Sequence, residues 1–416
     1  MKKCNNFIFG LGLIVLSLLI GSKESLAVPV FARKYHTACS TCHLAFPVRN
    51  AFGEAFRNNG YRFPDGKDED MVKEAPVELG SEAQKRAFPN AFYPSDIPNM
   101  PSLGFLATTQ LDLQKGSNGK FSDWAFGQEL GIFFAGTVTD NISYFGDFGV
   151  NTEEGATLGR LVLIWAFAPG LNFAVGDVGF PELFTLISAA PNADGGISYA
   201  TSLPNPNKGV EIRFTGDTGE TGGYAIVAGI GRNNTEEAGS LTDSRFIRAS
   251  YKLFGAGLLS GSGGTYGNDA IGMDNSVTFG VNFFSSDDGA TVGDENIHGL
   301  TKTAFSGDIM ANYGSFRAIA QVARFNEVFE VDSLGVRSNF GKRTQLSLEG
   351  DYWVYPWLFG VLRYEHVKDD LNGEITKVIP GVAAMLRVNA KLGFEYIAYT
   401  KNSDMNTFNF YAQVGF

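Results

Sequence analysis

Cysteine is nearly absent from this chain, with 3 among 416 residues. No framework of disulfides can therefore hold the fold. Beyond the first 27 residues no apolar run is long enough for a membrane helix, which excludes a helical membrane protein. An excess of positive charge is also missing. Lys+Arg number 33 against 44 Asp+Glu, for a net charge of −11, which argues against nucleic-acid binding. That charge is compatible with a surface that attracts cations. What is abundant is glycine, 51 residues, and phenylalanine, 36, in a chain of mean hydropathy −0.04.

The N-terminus has the layout of an export signal. Lys2 and Lys3 form a basic start, Phe7 to Ile20 is apolar, and Ser25-Leu26-Ala27 ends in a small-residue cleavage pattern. The mature chain is expected to begin at Val28. As a membrane anchor the apolar run is too short. Removal of residues 1–27 takes Cys4 with it and leaves two cysteines.

Those two stand in Cys39-Ser-Thr-Cys42-His43. This is the attachment pattern of a c-type haem. Two thiols add across the porphyrin's two vinyl groups, so the macrocycle sets the two-residue spacer. The adjacent His43 then binds the iron from one axial side. A redox disulfide or part of a zinc site are the competing readings. Zinc needs further Cys or His ligands, and only His36 is near. The sixth iron ligand is open among Met71, Met100 and His36; a His/Met pair would raise the potential. Without a sixth ligand, the haem would bind small molecules, as in a haem enzyme.

Around the motif, residues 28–64 form a haem segment. A helix is expected over Val48–Asn59, opened by Pro47 and stopped by Gly60. So short a segment cannot bury a core of its own. Phe31, Phe46, Phe52, Phe56 and Phe63 are expected to wrap the haem, to dock on a neighbouring wall, or both. Residues 65–102 follow as a linker, acidic and solvated at first (Asp65, Asp68, Glu69, Asp70, Glu74), then proline-rich and extended.

From residue 103 the chain alternates apolar and polar residues in strand after strand. Leu346, Leu348, Tyr352 and Val354 oppose Gln345, Glu349 and Asp351. Leu392, Phe394, Tyr396 and Ala398 oppose Lys391 and Glu395, and Val210, Ile212 and Phe214 oppose Glu211 and Arg213. The last strand carries Phe408, Phe410, Ala412, Val414 and Phe416 on one face and ends in phenylalanine, like strands read by outer-membrane assembly machinery. Tight connections such as Thr139-Asp140-Asn141, Pro169-Gly170, Tyr313-Gly314 and Pro356-Trp357 alternate with long polar ones. This is the pattern of periplasmic turns and extracellular loops. The exception is 254–274, long and glycine-rich where a short turn is due. The fold class is therefore all-β, a transmembrane antiparallel barrel over 103–416 of about sixteen strands, with a small helical haem segment before it. Its outer face is apolar and its inner face charged. Such a lumen is wide enough for a channel or a plug.

Two acidic clusters invite a metal reading: Asp287, Asp288, Asp294, Glu295 and His298, and Glu365, His366, Asp369 and Asp370. They could hold Fe²⁺ transiently. The competing reading, a solvated rim bridged to lipopolysaccharide by divalent cations, has the better claim.

Residues 29–64, with Pro29-Val30-Phe31-Ala32-Arg33-Lys34 before the motif and Phe46-Pro47, Phe52-Gly53, Phe56 and Asn59-Gly60-Tyr61 after it, resemble the head of the fused monohaem cytochrome–porin family. Iron-oxidising outer-membrane cytochromes belong to it. His36-Thr37 departs from the smaller residues expected there, and over the barrel the likeness is one of architecture. The resemblance implies one covalent haem c in an outer-membrane protein that passes electrons between the cell exterior and a periplasmic cytochrome or other carrier. Extracellular ferrous iron is one candidate donor, which would make the protein a ferrous-iron oxidase. A passive porin with a haem-binding plug is the alternative.

Overall fold

The computed structural model describes residues 30–64, 68–71, 82–89, 102–116, 119–139, 141–151, 155–178, 208–232, 244–292, 295–331, 337–370, 373–387 and 389–415. The expected export signal, Met100 and Phe416 lie outside these residues. The N-terminal part carries α1 (Val30–Tyr35), β1 (His43–Ala45), β2 (Val48–Arg49), α2 (Ala51–Asn58), α3 (Asp68–Met71) and α4 (Glu82–Ala87). The barrel strands are β3 (Ser102–Lys115), β4 (Phe121–Thr139), β5 (Ile142–Asn151), β6 (Gly155–Ala168), β7 (Leu171–Gly176), β8 (Lys208–Asp217), β9 (Gly223–Arg232) and β10 (Ser244–Leu253). They continue as β11 (Ser276–Val292), β12 (Glu295–Tyr313), β13 (Phe316–Val331), β14 (Arg337–Tyr355), β15 (Leu358–Asp369), β16 (Gly373–Arg387), β17 (Ala390–Tyr399) and β18 (Thr407–Gly415).

These sixteen strands form one closed antiparallel barrel in which each pairs with its neighbours in sequence. Closure comes from β18 against β3, in register from Thr407↔Gln114 to Gly415↔Leu106. The strand ends fall within a few residues of the expected ones, except on β11–β14. There the ladder runs on into the stretches expected as loops, for instance Thr291↔Asn296.

Period-two alternation sorts the side chains as expected. Phe167, Phe305 and Leu362 stand outside with 63%, 59% and 57% of their surface exposed, while Glu349, Asp351 and Glu395 are buried on the inner side. An outer face of large apolar side chains is unfavourable in water and favourable in lipid. At the short-turn end Phe167, Tyr313, Tyr355 and Trp357 make an exposed aromatic girdle. Inside, charges pair across strands: Arg248 with Asp308 at 2.6 Å, Arg317 with Asp351 at 2.6 Å and Arg363 with Glu349 at 3.4 Å.

Two expectations for the N-terminal part change. Pro47 does not open the helix. It lies in the turn of the β1–β2 hairpin, and α2 starts at Ala51 because the Asn50 side chain caps it, accepting from the Gly53 amide at 2.9 Å. Asp68, expected to be solvated, is buried. It accepts from Lys34 Nζ at 3.0 Å, Tyr35 Oη at 2.6 Å and the Phe63 amide at 3.0 Å. That carboxylate fastens α3 to α1.

The long connection between β10 and β11 also finds its reason. Asp274 organises it, accepting from Lys252 Nζ at 2.7 Å, the Ala256 amide at 2.8 Å and the Thr265 amide at 3.2 Å. Asp217 accepts from the Leu259 and Ser260 amides at 2.7 and 3.0 Å. So held, the turn offers its Leu258 and Leu259 carbonyls to the Asn58 and Asn59 side chains at 2.9 and 2.8 Å. It is a clamp on the end of α2. Asp274→Ala leaves the buried Lys252 without its carboxylate, at a local cost of about 3–5 kcal/mol. Hydrogen exchange is expected to accelerate across 254–275 and at the end of α2, while the heat-modifiable barrel persists. Unchanged exchange there would refute the clamp.

Candidate functional site

The segment carrying α1, β1, β2 and α2 lies within the barrel at its short-turn end. Its contacts reach separate arcs of the wall. Ser143 on β5 donates to the Gly60 carbonyl at 2.6 Å, and Asn172 on β7 donates to the Asn58 carbonyl at 2.6 Å. Lys391 on β17 donates to the Phe46 carbonyl at 2.8 Å. Aromatic stacking joins segment to wall as well: Tyr61 lies 5.3 Å from both Phe31 and Phe145, nearly parallel to each.

Between segment and wall is a cavity of about 340 Å³. Cys39, Cys42 and His43 all line it, together with all five phenylalanines expected to wrap a haem. Phe105, Phe133 and Phe145 close it from the wall, so the aromatics both enclose the cavity and dock the segment. Arg49, Arg57, Arg160 and Lys391 add cationic groups to a largely apolar lining.

Local bonding explains how the motif is held. Cys39–Thr41 form a single turn of tight helix, and the Cys42 amide donates to the Cys39 carbonyl at 3.1 Å. Asn50 ties this turn to α2. Its backbone N–H donates to the Cys42 carbonyl at 2.9 Å, and its side-chain amide donates to the Ser40 and Thr41 carbonyls at 3.1 and 3.0 Å. Gly53 permits the close approach, since a Cβ there would lie 2.1 Å from the Cys42 carbonyl oxygen. Asn50 escapes sequence reasoning because its partners are backbone carbonyls brought near only by the hairpin.

Burial controls the chemistry. It pushes the His43 imidazole down to about 4, helped by the nearby Arg49 charge, against small opposing effects of the Pro47 and Val48 carbonyls and Glu54. The ring is therefore neutral at physiological pH, the form that binds a metal. Its buried Nδ1 has no hydrogen-bond partner among the described residues. Burial also pushes the Cys42 thiol up to about 11, with Cys39 adding to the shift, and raises the Cys39 thiol. Neither thiol is in a disulfide. Two free thiols and a neutral imidazole in one largely apolar cavity, with cationic side chains on its lining, fit a covalently attached haem.

The other expected site residues are not brought here. His36 is exposed, in the left-handed backbone region at φ 49°, and does not line the cavity. Met71 is exposed at the end of α3, away from it. Neither acidic cluster forms a metal centre among the described residues. Side chains of 287–300 lie outside them. Glu365 is buried on the inner side, 3.3 Å from Arg363, whereas the next residue, His366, hydrogen-bonds Thr376 at 2.9 Å. Successive strand residues point to opposite faces, which separates the pair.

No protein-family model matches the chain, and no curated protein matches it in sequence. Solved structures do match in fold. The outer-membrane channel DcaP of Acinetobacter baumannii aligns with 82% of this chain and 100% of its own, at 12% identity and TM-score 0.50. A porin refined at 1.8 Å resolution aligns over 76% and 100% at 13% identity and TM-score 0.50. An anion-selective porin from Comamonas acidovorans aligns over 76% and 99% at 10% identity and TM-score 0.50. The likeness is one of fold. A closed barrel of this porin-like kind, with an apolar outer face and an aromatic girdle, is a protein of the outer membrane.

Gly53→Ala is expected to push α2 away from the motif, at a cost of about 1–3 kcal/mol from overpacking. In protein prepared without cofactor, Cys42 should then react several-fold faster with a thiol reagent while the barrel stays folded. Equal rates in the two proteins would show that the approach at Gly53 is not what shields the motif.

Proposed function

We propose that the barrel carries one covalent haem c at its periplasmic mouth, held by Cys39, Cys42 and His43. On this reading it passes electrons between an extracellular donor and a periplasmic cytochrome or other carrier. The observation that supports it is the convergence of the three motif residues on one apolar cavity between segment and wall. When bound, haem c supplies a one-electron centre whose potential follows its axial ligands and the burial around it.

The chain's own residues define the rest. Short turns are the periplasmic end of an outer-membrane barrel, and the hydrocarbon band is about 25 Å tall. A cavity at one end cannot span that height, so a donor from outside must come down the lumen. The inner side of the strands carries charged groups, among them the buried pairs Arg248–Asp308 and Arg317–Asp351, and a polar inner wall is compatible with small hydrated ions. Ferrous iron is such a donor. Asn50 and Gly53 hold the motif against α2, the aromatic side chains keep bulk water from the cavity, and Arg49, Arg57 and Arg160 place positive charge on its lining, Arg49 while paired with Glu54 at 2.8 Å.

A second reading is a passive porin in which the haem-bearing segment is only a plug. The fold comparisons favour it, because the matched structures are described as channels and porins. On that reading the lumen carries solutes and the cavity takes no part in transport.

Proteoliposomes enclosing a redox dye separate the two. External Fe²⁺ or a small reductant is expected to reduce the dye with wild-type protein. With His43→Ala, dye reduction should fall to the rate of empty liposomes while ion conductance changes little. A protein reductant too bulky for the lumen should be ineffective from outside. Dye reduction by His43→Ala at the wild-type rate would leave the passive porin as the function. Cys39→Ala/Cys42→Ala should abolish haem staining on a denaturing gel; full staining in that variant would refute the attachment itself.

A further inference from the structure

We infer that Met385, on the lumen side of β16, supplies the second axial ligand to the iron. The inference rests on the haem reading above and goes beyond it, because it takes the ligand from the barrel wall instead of the N-terminal segment. Besides Cys39, Cys42 and His43, the cavity lining holds four side chains of the strongly ligating thioether, phenol and amine types: Tyr35, Tyr61, Met385 and Lys391.

Three of these have a competing role or an unsuitable form. The Tyr35 hydroxyl donates to Asp68 at 2.6 Å, and burial together with that carboxylate pushes its pKa far above the ordinary value, so it stays a neutral phenol. Tyr61 is held in the stack between Phe31 and Phe145. Lys391 donates to the Phe46 carbonyl at 2.8 Å and lies 5.6 Å from the centre of the Tyr411 ring. To bind iron it would have to give up both contacts and a proton.

Met385 has none of these obstacles. A thioether needs no deprotonation and is a soft ligand suited to haem iron. Strand register sets its direction. Met385 pairs with Lys391 and shares the face of the buried Ala383 and Ile379. The pairing slips between Met385 and Arg387, and such irregularities re-aim side chains at barrel rims. The Met385 backbone is anchored, its amide donating to the Trp357 carbonyl at 2.7 Å. Its side chain packs with Leu44 against the cluster holding Ala45 and Val48, beside the hairpin that begins at His43. A Met/His pair would give a high potential and would fasten the plug to the wall through the metal.

A purely packing role for Met385 would leave the iron's spectrum unchanged, so spectroscopy separates the two. In full-length ferric protein in detergent, the wild type is expected to show the far-red thioether-to-iron absorption band and the matching low-spin magnetic signature. Met385→Leu, which keeps the volume, should lose the band and lower the midpoint potential. Its haem-stained band and heat-modifiable fold should stay at wild-type level. Met385→His should replace the signature with that of a bis-imidazole centre in protein that keeps the heat-modifiable fold. His36→Ala and Met71→Leu should leave the wild-type spectrum intact. Retention of the thioether band in Met385→Leu, or its loss in Met71→Leu instead, would overturn the assignment. A wild-type protein with no haem stain would overturn the haem reading on which it rests.

Discussion

Everything in this molecule depends on the pairing of β18 with β3. In hydrocarbon an unpaired backbone N–H or C=O costs several kcal/mol, so a sheet can cross a membrane only if it has no edge. The ladder from Thr407↔Gln114 to Gly415↔Leu106 removes the last two edges at once. Closure then divides every strand into a lipid side and a lumen side. Apolar side chains take the first. The second collects charges that must satisfy one another, as Arg317 does with Asp351 and Glu349, and Arg363 with Glu349 and Glu365.

A closed barrel of this width leaves a hole, and the short-turn end of the hole is filled by a segment too small to fold on a core of its own. It borrows one. Phe31 and Tyr61 stack against Phe145 of the wall, Asn58 and Asn59 bond the inturned β10–β11 connection, and Lys391 bonds the Phe46 carbonyl. Burial of the motif follows from this docking. The same desolvation that makes the segment pack keeps the His43 ring neutral and both thiols protonated. Docking and chemistry at the cavity are therefore one energetic arrangement.

The connection from 254 to 275 shows how a local irregularity can mark a long-range contact. By the rhythm of short turns and long loops it is an anomaly. In the fold it is the partner of α2, some 200 residues earlier in the chain. Its bonds to Asp217 and Asp274 give it a shape that does not depend on the segment. Its length is a consequence of reaching into the lumen.

The sequence by itself determined the barrel, its strand count and its two faces, because strand periodicity and turn chemistry are local and repeat along the chain. It also put Cys39, Cys42 and His43 within five residues of one another, a local pattern that needs no fold to bring it together. Only the tertiary structure decided the tie of Asn50 to the Ser40 and Thr41 carbonyls, the burial of Asp68 by Lys34 and Tyr35, and the meeting of Met385 with the motif cavity. Each of these rests on groups far apart in the chain or on backbone atoms of another element. No residue pattern encodes such a meeting, since it exists only once closure has fixed which wall faces which side of the segment.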